Sequence, residues 1–233
     1  MLTLPSEAVR FQSASDQSIL VYLGQQTITP DALQQVMRLL HLLSSDPIAG
    51  VRNLQPAYCS VLIKFDPLTI AQRKLEEILS GYVHRLKDVI LPEPKQVEIP
   101  VCYGGEFGPD LSAVASLHGM MPSDAIEIHA AAEYLVHFLG FVPGFAYLGG
   151  LPQELVTPRR SSPRRRVPAG SVGIADDQTG VYPFATPGGW QLIGRTPVAM
   201  FRKDRKDMSL LSMGDRVRFR PISRAKFTAL EDE

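Results

Sequence analysis

Cysteine is scarce in this chain: only Cys59 and Cys102 occur in 233 residues, each inside an apolar run. Two cysteines build no disulfide framework, and the expected state is a pair of reduced, buried thiols. Neither sign of charge is in excess, because 24 Lys and Arg offset 24 Asp and Glu. A general affinity for nucleic acid or for an anionic membrane is therefore not expected. Long apolar runs are missing too. The most apolar window, Tyr134 to Leu151, is broken by His137, Pro143 and several glycines, which excludes a membrane span there. The opening residues MLTLPSEAVRF carry no basic segment followed by an apolar run, so no secretory leader is read and a cytoplasmic location is expected. No fixed-period repeat and no low-complexity segment occurs.

The common signatures of self-contained chemistry are also missing. Neither G-x-x-x-x-G-K-[ST] nor G-x-G-x-x-G occurs, and Gly104, Gly105 and Gly108 fit neither spacing. Any use of ATP then needs another geometry or a partner's residues. The histidines His41, His84, His118, His129 and His137 show no i, i+4 pair and no H-E-x-x-H, so no metal site is expected. Ala169-Gly170-Ser171-Val172-Gly173 approaches a nucleophile elbow, but Ala replaces its first glycine and a turn rather than a helix follows. Ser171 reads as a turn residue.

What is present has a clear order. Residues 8–12 and 18–23 read as strands. Thr29-Pro30-Asp31 opens a helix with a hydroxyl cap, and Leu33, Val36, Met37, Leu40 and Leu43 form its apolar stripe. IAGVRNL and YCSVLIKF read as a strand pair, and Thr69 to Leu86 as a second amphipathic helix. The order β-β-α-β-β-α predicts helices on one face of an antiparallel sheet. LPEPK, with two prolines, marks a boundary. The expected division is a domain over 1–90, a linker over 91–96 and a second domain over 97–233. That domain opens with the strand VEIPVCY and two helices, DLSAVASLHG and one from Pro122 to about Tyr134 capped by Ser123. Short strands with close turn signals then predict a closed or nearly closed barrel, VAMF among them, with Asp215–Phe219 as the closing strand.

Glycine and proline concentrate between Gly140 and Pro197, together with Phe141, Phe145, Tyr147, Tyr182, Phe184 and Trp190. Such density predicts tight turns between short strands, and the aromatics argue for a folded segment. Residues 158–166, PRRSSPRRR, hold five arginines and no acid. Arg159, Arg160 and Arg164 either grip a carboxylate or phosphate or form a solvated loop; Pro158, Pro163 and Pro168 stiffen the segment and favour binding. Gln178 and Thr179 offer neutral groups suited to an amide. Trp190 either walls a pocket or belongs to the barrel core.

The strings GFVPGFAYLGGLP, TPRR, PRRRVPAGSVGIA, QTGVYP, TPGGWQLIGRTP and GDRVRF resemble the 5-oxoprolinase B-subunit family, also called the KipI-like or allophanate-hydrolase subunit 1 family. The resemblance is dense from about residue 97 to 220. It implies an N-terminal ferredoxin-like α+β plait followed by a mainly-β, cyclophilin-like barrel. It also implies a polypeptide that works with the A and C subunits of 5-oxoprolinase to open 5-oxo-L-proline to L-glutamate at the expense of ATP, which the complex uses. A direct contact with the C subunit is expected, with a small-molecule substrate and no nucleic acid or membrane. One branch of the family instead inhibits a sensor histidine kinase, which is the alternative reading. On the enzyme reading, Arg159, Arg164 and Arg195 are the candidate cations and Gln178, Thr179 and Tyr182 the neutral partners of the amide. Phe145, Tyr147 and Trp190 are the apolar walls, and His129 is the candidate general base. A peptidyl-prolyl isomerase is not expected, because fold likeness alone transfers no activity.

Overall fold

The computed structural model describes residues 9–24 and 29–231. Ala8 of the first predicted strand and the opening residues lie outside them. The division between two compact units falls between Glu93 and Pro94.

The first unit runs β1 (Val9–Ser15), β2 (Ser18–Leu23), α1 (Pro30–Ser45), β3 (Val51–Pro56), β4 (Ser60–Phe65) and α2 (Gln72–Arg85). Its four strands pair antiparallel in the order β1-β2-β4-β3. Apolar residues alternate where the sheet is covered. Ile19, Val21 and Leu23 of β2 and Val61, Ile63 and Phe65 of β4 are buried, as are Leu33, Val36, Leu39 and Leu43 of α1 and Leu75 and Leu79 of α2. Thr29 caps α1, its hydroxyl accepting from Ala32 N at 3.1 Å, with Pro30 in the first turn. The second helix starts at Gln72 rather than Thr69. The Asp66 carboxylate explains the delay, because it accepts from Leu68 N and from the Thr69 hydroxyl and holds the preceding residues in a turn.

The second unit begins with β5 (Gln96–Tyr103), α3 (Leu111–Leu117) and α4 (Pro122–Ala131). It continues with β6 (Tyr134–Leu139), β7 (Ala146–Gly149), β8 (Arg164–Val167), β9 (Ser171–Ala175) and β10 (Gln178–Val181). It ends with β11 (Thr186–Gly188), β12 (Gln191–Arg195), β13 (Arg216–Pro221) and α5 (Arg224–Glu231). Seven strands close a barrel in the order β10-β7-β6-β13-β5-β12-β9, while β11 and β8 form a separate two-stranded ribbon. The predicted closing strand lies between β5 and β6, parallel to β5 and antiparallel to β6. VAMF is no strand; only Phe201 bridges, to Ser209. Inward residues of successive strands fill the barrel: Ile99, Val101, Val136, Leu148, Val172, Ile174, Val181, Ile193, Val217 and Phe219. Helix α4 is capped by Asp124 rather than Ser123, since the Asp124 carboxylate accepts from Met121 N at 3.0 Å. It stops at Ala131, because Ala132 is extended.

The expected ferredoxin-like plait followed by a cyclophilin-like barrel is corrected here. In its place stand a β-β-α-β-β-α sheet unit and a seven-stranded closed barrel carrying a ribbon. A ferredoxin-like plait alternates as β-α-β-β-α-β. Here the tight turn at Asp16 and Gln17 pairs the first two strands directly, so no helix separates them. Among the described residues no helix is long and apolar enough to cross a membrane.

Candidate functional site

The barrel wall at β9, β10 and β12 has two faces, and strand alternation sorts the candidate residues between them. Asp176 and Asp177 turn β9 into β10, and Gln178 pairs with Ala175, Thr179 with Ile174 and Gly180 with Gly173. Thr179 and Val181 point inward; Gln178 and Gly180 belong to the outer face.

On the outer face, Phe145, Val167, Ala175, Tyr182, Trp190 and Leu192 form a cluster of their own, with Tyr147 half-buried against it. The rings meet edge to face: Phe145 lies 5.2 Å from Tyr182, 5.4 Å from Trp190 and 4.9 Å from Tyr147 between centroids. This geometry places a positive ring edge on a negative face, worth about 0.5–1.5 kcal/mol per pair beyond burial. Gly180 makes the plate possible. A Cβ there would lie 3.2 Å from both Phe145 Cζ and Trp190 Cζ3 and 2.9 Å from the Ala146 carbonyl oxygen. The β8–β11 ribbon covers this plate, and Gly188 lies close against it, since an added Cβ would collide with the Tyr182 hydroxyl. That hydroxyl accepts from the Trp190 backbone N–H; burial pushes its pKa up, against the pull of Trp190, Arg159 and Arg164.

The arginines are not a free cluster. Arg164 Nη2 lies 2.7 Å and Arg160 Nη1 3.3 Å from Asp110 Oδ1, and Asp110 Oδ2 accepts from Leu192 N at 2.7 Å. Asp110 is buried. It therefore anchors the ribbon to β12. Arg164 Nη1 and Thr186 Oγ1, both on the ribbon, are buried without a hydrogen-bond partner among the described residues. Arg159 is different: it is exposed, pairs with exposed Asp176 at 3.2 Å, and lowers the pKa of Tyr147 against the larger upward push of burial. Arg195 sits at the far end of β12, its Nε donating to Ala169 O at 2.9 Å and its guanidinium lying 5.9 Å from the Phe227 ring.

His129 and Thr179 lie inside the barrel. His129 Nε2 is 3.1 Å from Thr179 Oγ1, and Nδ1 is 2.8 Å from the Tyr103 hydroxyl. Thr179 Oγ1 donates to Gly173 O at 2.9 Å. That assignment fixes the polarity: Nε2–H donates to Thr179, and Nδ1 accepts from Tyr103. Burial drives the His129 pKa down to about 3, so the ring is neutral, and it stacks on Phe219 at 4.7 Å. Both ring nitrogens are engaged with neighbours rather than facing solvent.

The structure thus brings together Phe145, Tyr147, Arg159, Arg164, Gln178, Tyr182 and Trp190 on the outer face. It separates them from His129 and Thr179, which are interior, and from Arg195. Sequence reasoning misses Asp110 as the anchor of the arginine ribbon and reads it only as the start of a helix. Its one signal is an acid directly after the turn at Gly108-Pro109. A hollow of about 420 Å³ is lined by Gln96, Val97, Glu98, Glu133 and Arg218. Its charges are paired, since Glu133 pairs with Arg216 and Arg218 and Glu98 with Arg220.

Residues 9–211 match the family described as carboxyltransferase domain, subdomain C and D. The chain is 40% identical to the 5-oxoprolinase B subunit of Bacillus subtilis (strain 168), across 97% of this chain and 98% of that one. It is 50% identical to the 5-oxoprolinase B subunit of Escherichia coli O157:H7, across 66% of this chain and 73% of that one. The crystal structure of TTHA0988 superposes with a TM-score of 0.78 at 34% identity, covering 89% of this chain; the chain spans only 40% of that longer polypeptide. With a barrel fold shared with a solved structure and end-to-end likeness to a curated relative, the chain belongs to the 5-oxoprolinase B-subunit family, within the carboxyltransferase subdomain C and D group.

Proposed function

We propose that this chain is the B subunit of an ATP-dependent 5-oxoprolinase, acting with the A and C subunits to open 5-oxo-L-proline to L-glutamate. The observation that carries the reading is the match to the Bacillus subtilis protein over 97% of this chain and 98% of that one.

The chemistry sets what a site must supply. A lactam carbonyl is a poor electrophile. Transfer of the terminal phosphoryl group of ATP to its oxygen releases ADP and creates a leaving group. Water then adds to the ring carbon, the C–N bond breaks, and a γ-glutamyl phosphate forms; a second water releases phosphate and leaves glutamate. Catalysis of phosphoryl transfer is chiefly positioning and charge stabilisation. On this reading Arg159 and Tyr147, members of the outer-face group that reach solvent, contact the substrate. Phe145, Tyr182 and Trp190 form the rigid wall behind them, with Gln178 at its edge. Arg164 is held by Asp110, with its buried Nη1 lacking a partner among the described residues. The interior pair of His129 and Thr179 ties α4 to β10 and keeps that wall in register, and Arg195 fixes the end of β12. With no phosphate loop in the sequence, ATP is bound by the assembled complex, with partner residues supplying the nucleotide site.

The test is reconstitution with the A and C subunits. The expected result is equal amounts of glutamate and ADP from 5-oxo-L-proline, requiring all three chains and ATP. Glutamate formation that is indifferent to this chain or to ATP would overturn the proposal.

A further inference from the structure

One exposed surface of the barrel unit has a composition that the substrate site does not explain. Phe141 is 60% exposed and holds a left-handed backbone, with φ at 65°. A bulky side chain disfavours that conformation, so the turn carries backbone strain in holding the ring where it is. Its ring meets the edges of Phe145 at 5.6 Å and Tyr182 at 6.5 Å, which fixes its direction while leaving much of it in solvent. The same turn continues through exposed Pro143 to Gly144. A Cβ on Gly144 would lie 2.7 Å from Phe201 Cβ, so the turn rests directly on Phe201. The Phe201 ring then contacts Phe184, which is 39% exposed, at 5.5 Å. Phe141, Pro143, Phe201 and Phe184 are therefore one continuous apolar surface, of the kind that marks interaction sites.

Its border is basic. Phe201 leads into an exposed hairpin, with Arg202 N donating to Met208 O. The hairpin carries Arg202, Lys203, Arg205 and Lys206 against Asp204 and Asp207. Asp204 is taken by Arg202 at 2.6 Å, which leaves the remaining cations in excess on a chain whose overall charge is zero. Met208, at the end of the hairpin, is also exposed.

We infer that this aromatic surface and its basic hairpin dock an acidic segment of the C subunit, with apolar side chains of that segment seated on Phe141 and Phe184. The inference rests on the reading of this chain as one member of a multi-subunit enzyme. Charge complementarity selects the occupant: cations at the rim steer an acidic partner, and the rings hold it once seated. In TTHA0988 the matched part is 40% of the chain, so further sequence is joined to the same barrel in that polypeptide.

The test uses the full chain and the purified C subunit. Phe141→Gly removes the ring and places a residue at home with positive φ, so the melting temperature is expected to hold or rise. The dissociation constant for the C subunit is expected to rise by about tenfold or more. Lys203→Glu with Lys206→Glu is expected to slow association at low salt, with the deficit shrinking as salt rises. If the unaltered chain binds the C subunit and both variants bind it equally well and equally fast, the docking surface is overturned while the oxoprolinase reading stands. If the unaltered chain neither binds the C subunit nor supports activity with both partners, the oxoprolinase reading falls and the docking proposal with it. Retention of a single-stranded oligonucleotide with the same dependence on Phe141 would also overturn a protein occupant.

Discussion

Replacing Asp110 by Ala is expected to lower the stability of the barrel unit by about 3–5 kcal/mol, the usual range when one partner of a buried charge pair is removed. The change takes this acceptor from three donors, of which Leu192 N and the Arg164 guanidinium are the more buried. Arg164 and Arg160 lose their shared carboxylate oxygen, and Leu192 N loses its acceptor at 2.7 Å. Asp110→Asn keeps a carbonyl for Leu192 N and loses only the charge, so a smaller loss is expected. Denaturant melts of the three proteins give the ordering directly. Activity in the reconstituted complex should also fall, because this carboxylate helps to hold the ribbon over Tyr182, and a displacement near 1 Å removes about 100-fold in rate. Unchanged stability in both variants would remove Asp110 as the anchor.

The second large effect is a dependence on acid. His129 is buried and neutral, with its pKa pushed down to about 3 by burial. In the unfolded chain the same imidazole titrates at about 6.5. The folded value lies below the unfolded one, so the stability contributed by a neutral ring is fully present above about pH 6.5. It is lost progressively as pH falls from about 6.5 toward 3, with a limit on the order of 4–5 kcal/mol. His137 adds in the same direction, since burial lowers its pKa against the opposing charge of Asp177. The carboxylates held low by arginines, Asp66 by Arg52 and Glu133 by Arg216, matter only at more acid pH. The window from about 6.5 to about 4.5 therefore isolates the histidines. His129→Phe should be less stable at about pH 7, because Thr179 and Tyr103 lose their partner, yet flatter across that window. Equal slopes for both proteins would contradict the neutral, doubly bonded ring.

Much of the barrel is legible in the sequence because its signals are local. Alternating apolar residues mark β5, β9 and β13, and the glycine-rich aromatic stretch marks the wall that forms the outer face. The plait expectation fails because it rests on the resemblance, although hairpin-forming turns between β1 and β2 and between β3 and β4 already oppose it. Long-range electrostatics is the other blind spot. Nothing near Asp110 in sequence announces Arg160 and Arg164, which lie 50 and 54 residues away. Composition makes one group of the arginines, but folding gives each a different partner: Asp176 for Arg159, Asp110 for Arg164, and the Ala169 carbonyl for Arg195. His129 stands out in the sequence as a titratable group, and only the fold reveals that both of its nitrogens are already engaged inside the barrel.

The central claim is that the outer face around Arg159 contributes to the substrate site of a 5-oxoprolinase complex. The most direct measurement is kcat/KM for 5-oxo-L-proline in the reconstituted complex carrying Arg159→Gln. Arg159 is exposed and its pair with Asp176 is a surface pair, so folding should be unaffected. Loss of one charge-assisted contact predicts a fall of about 10- to 100-fold. A wild-type kcat/KM from a complex containing the folded variant would contradict the account.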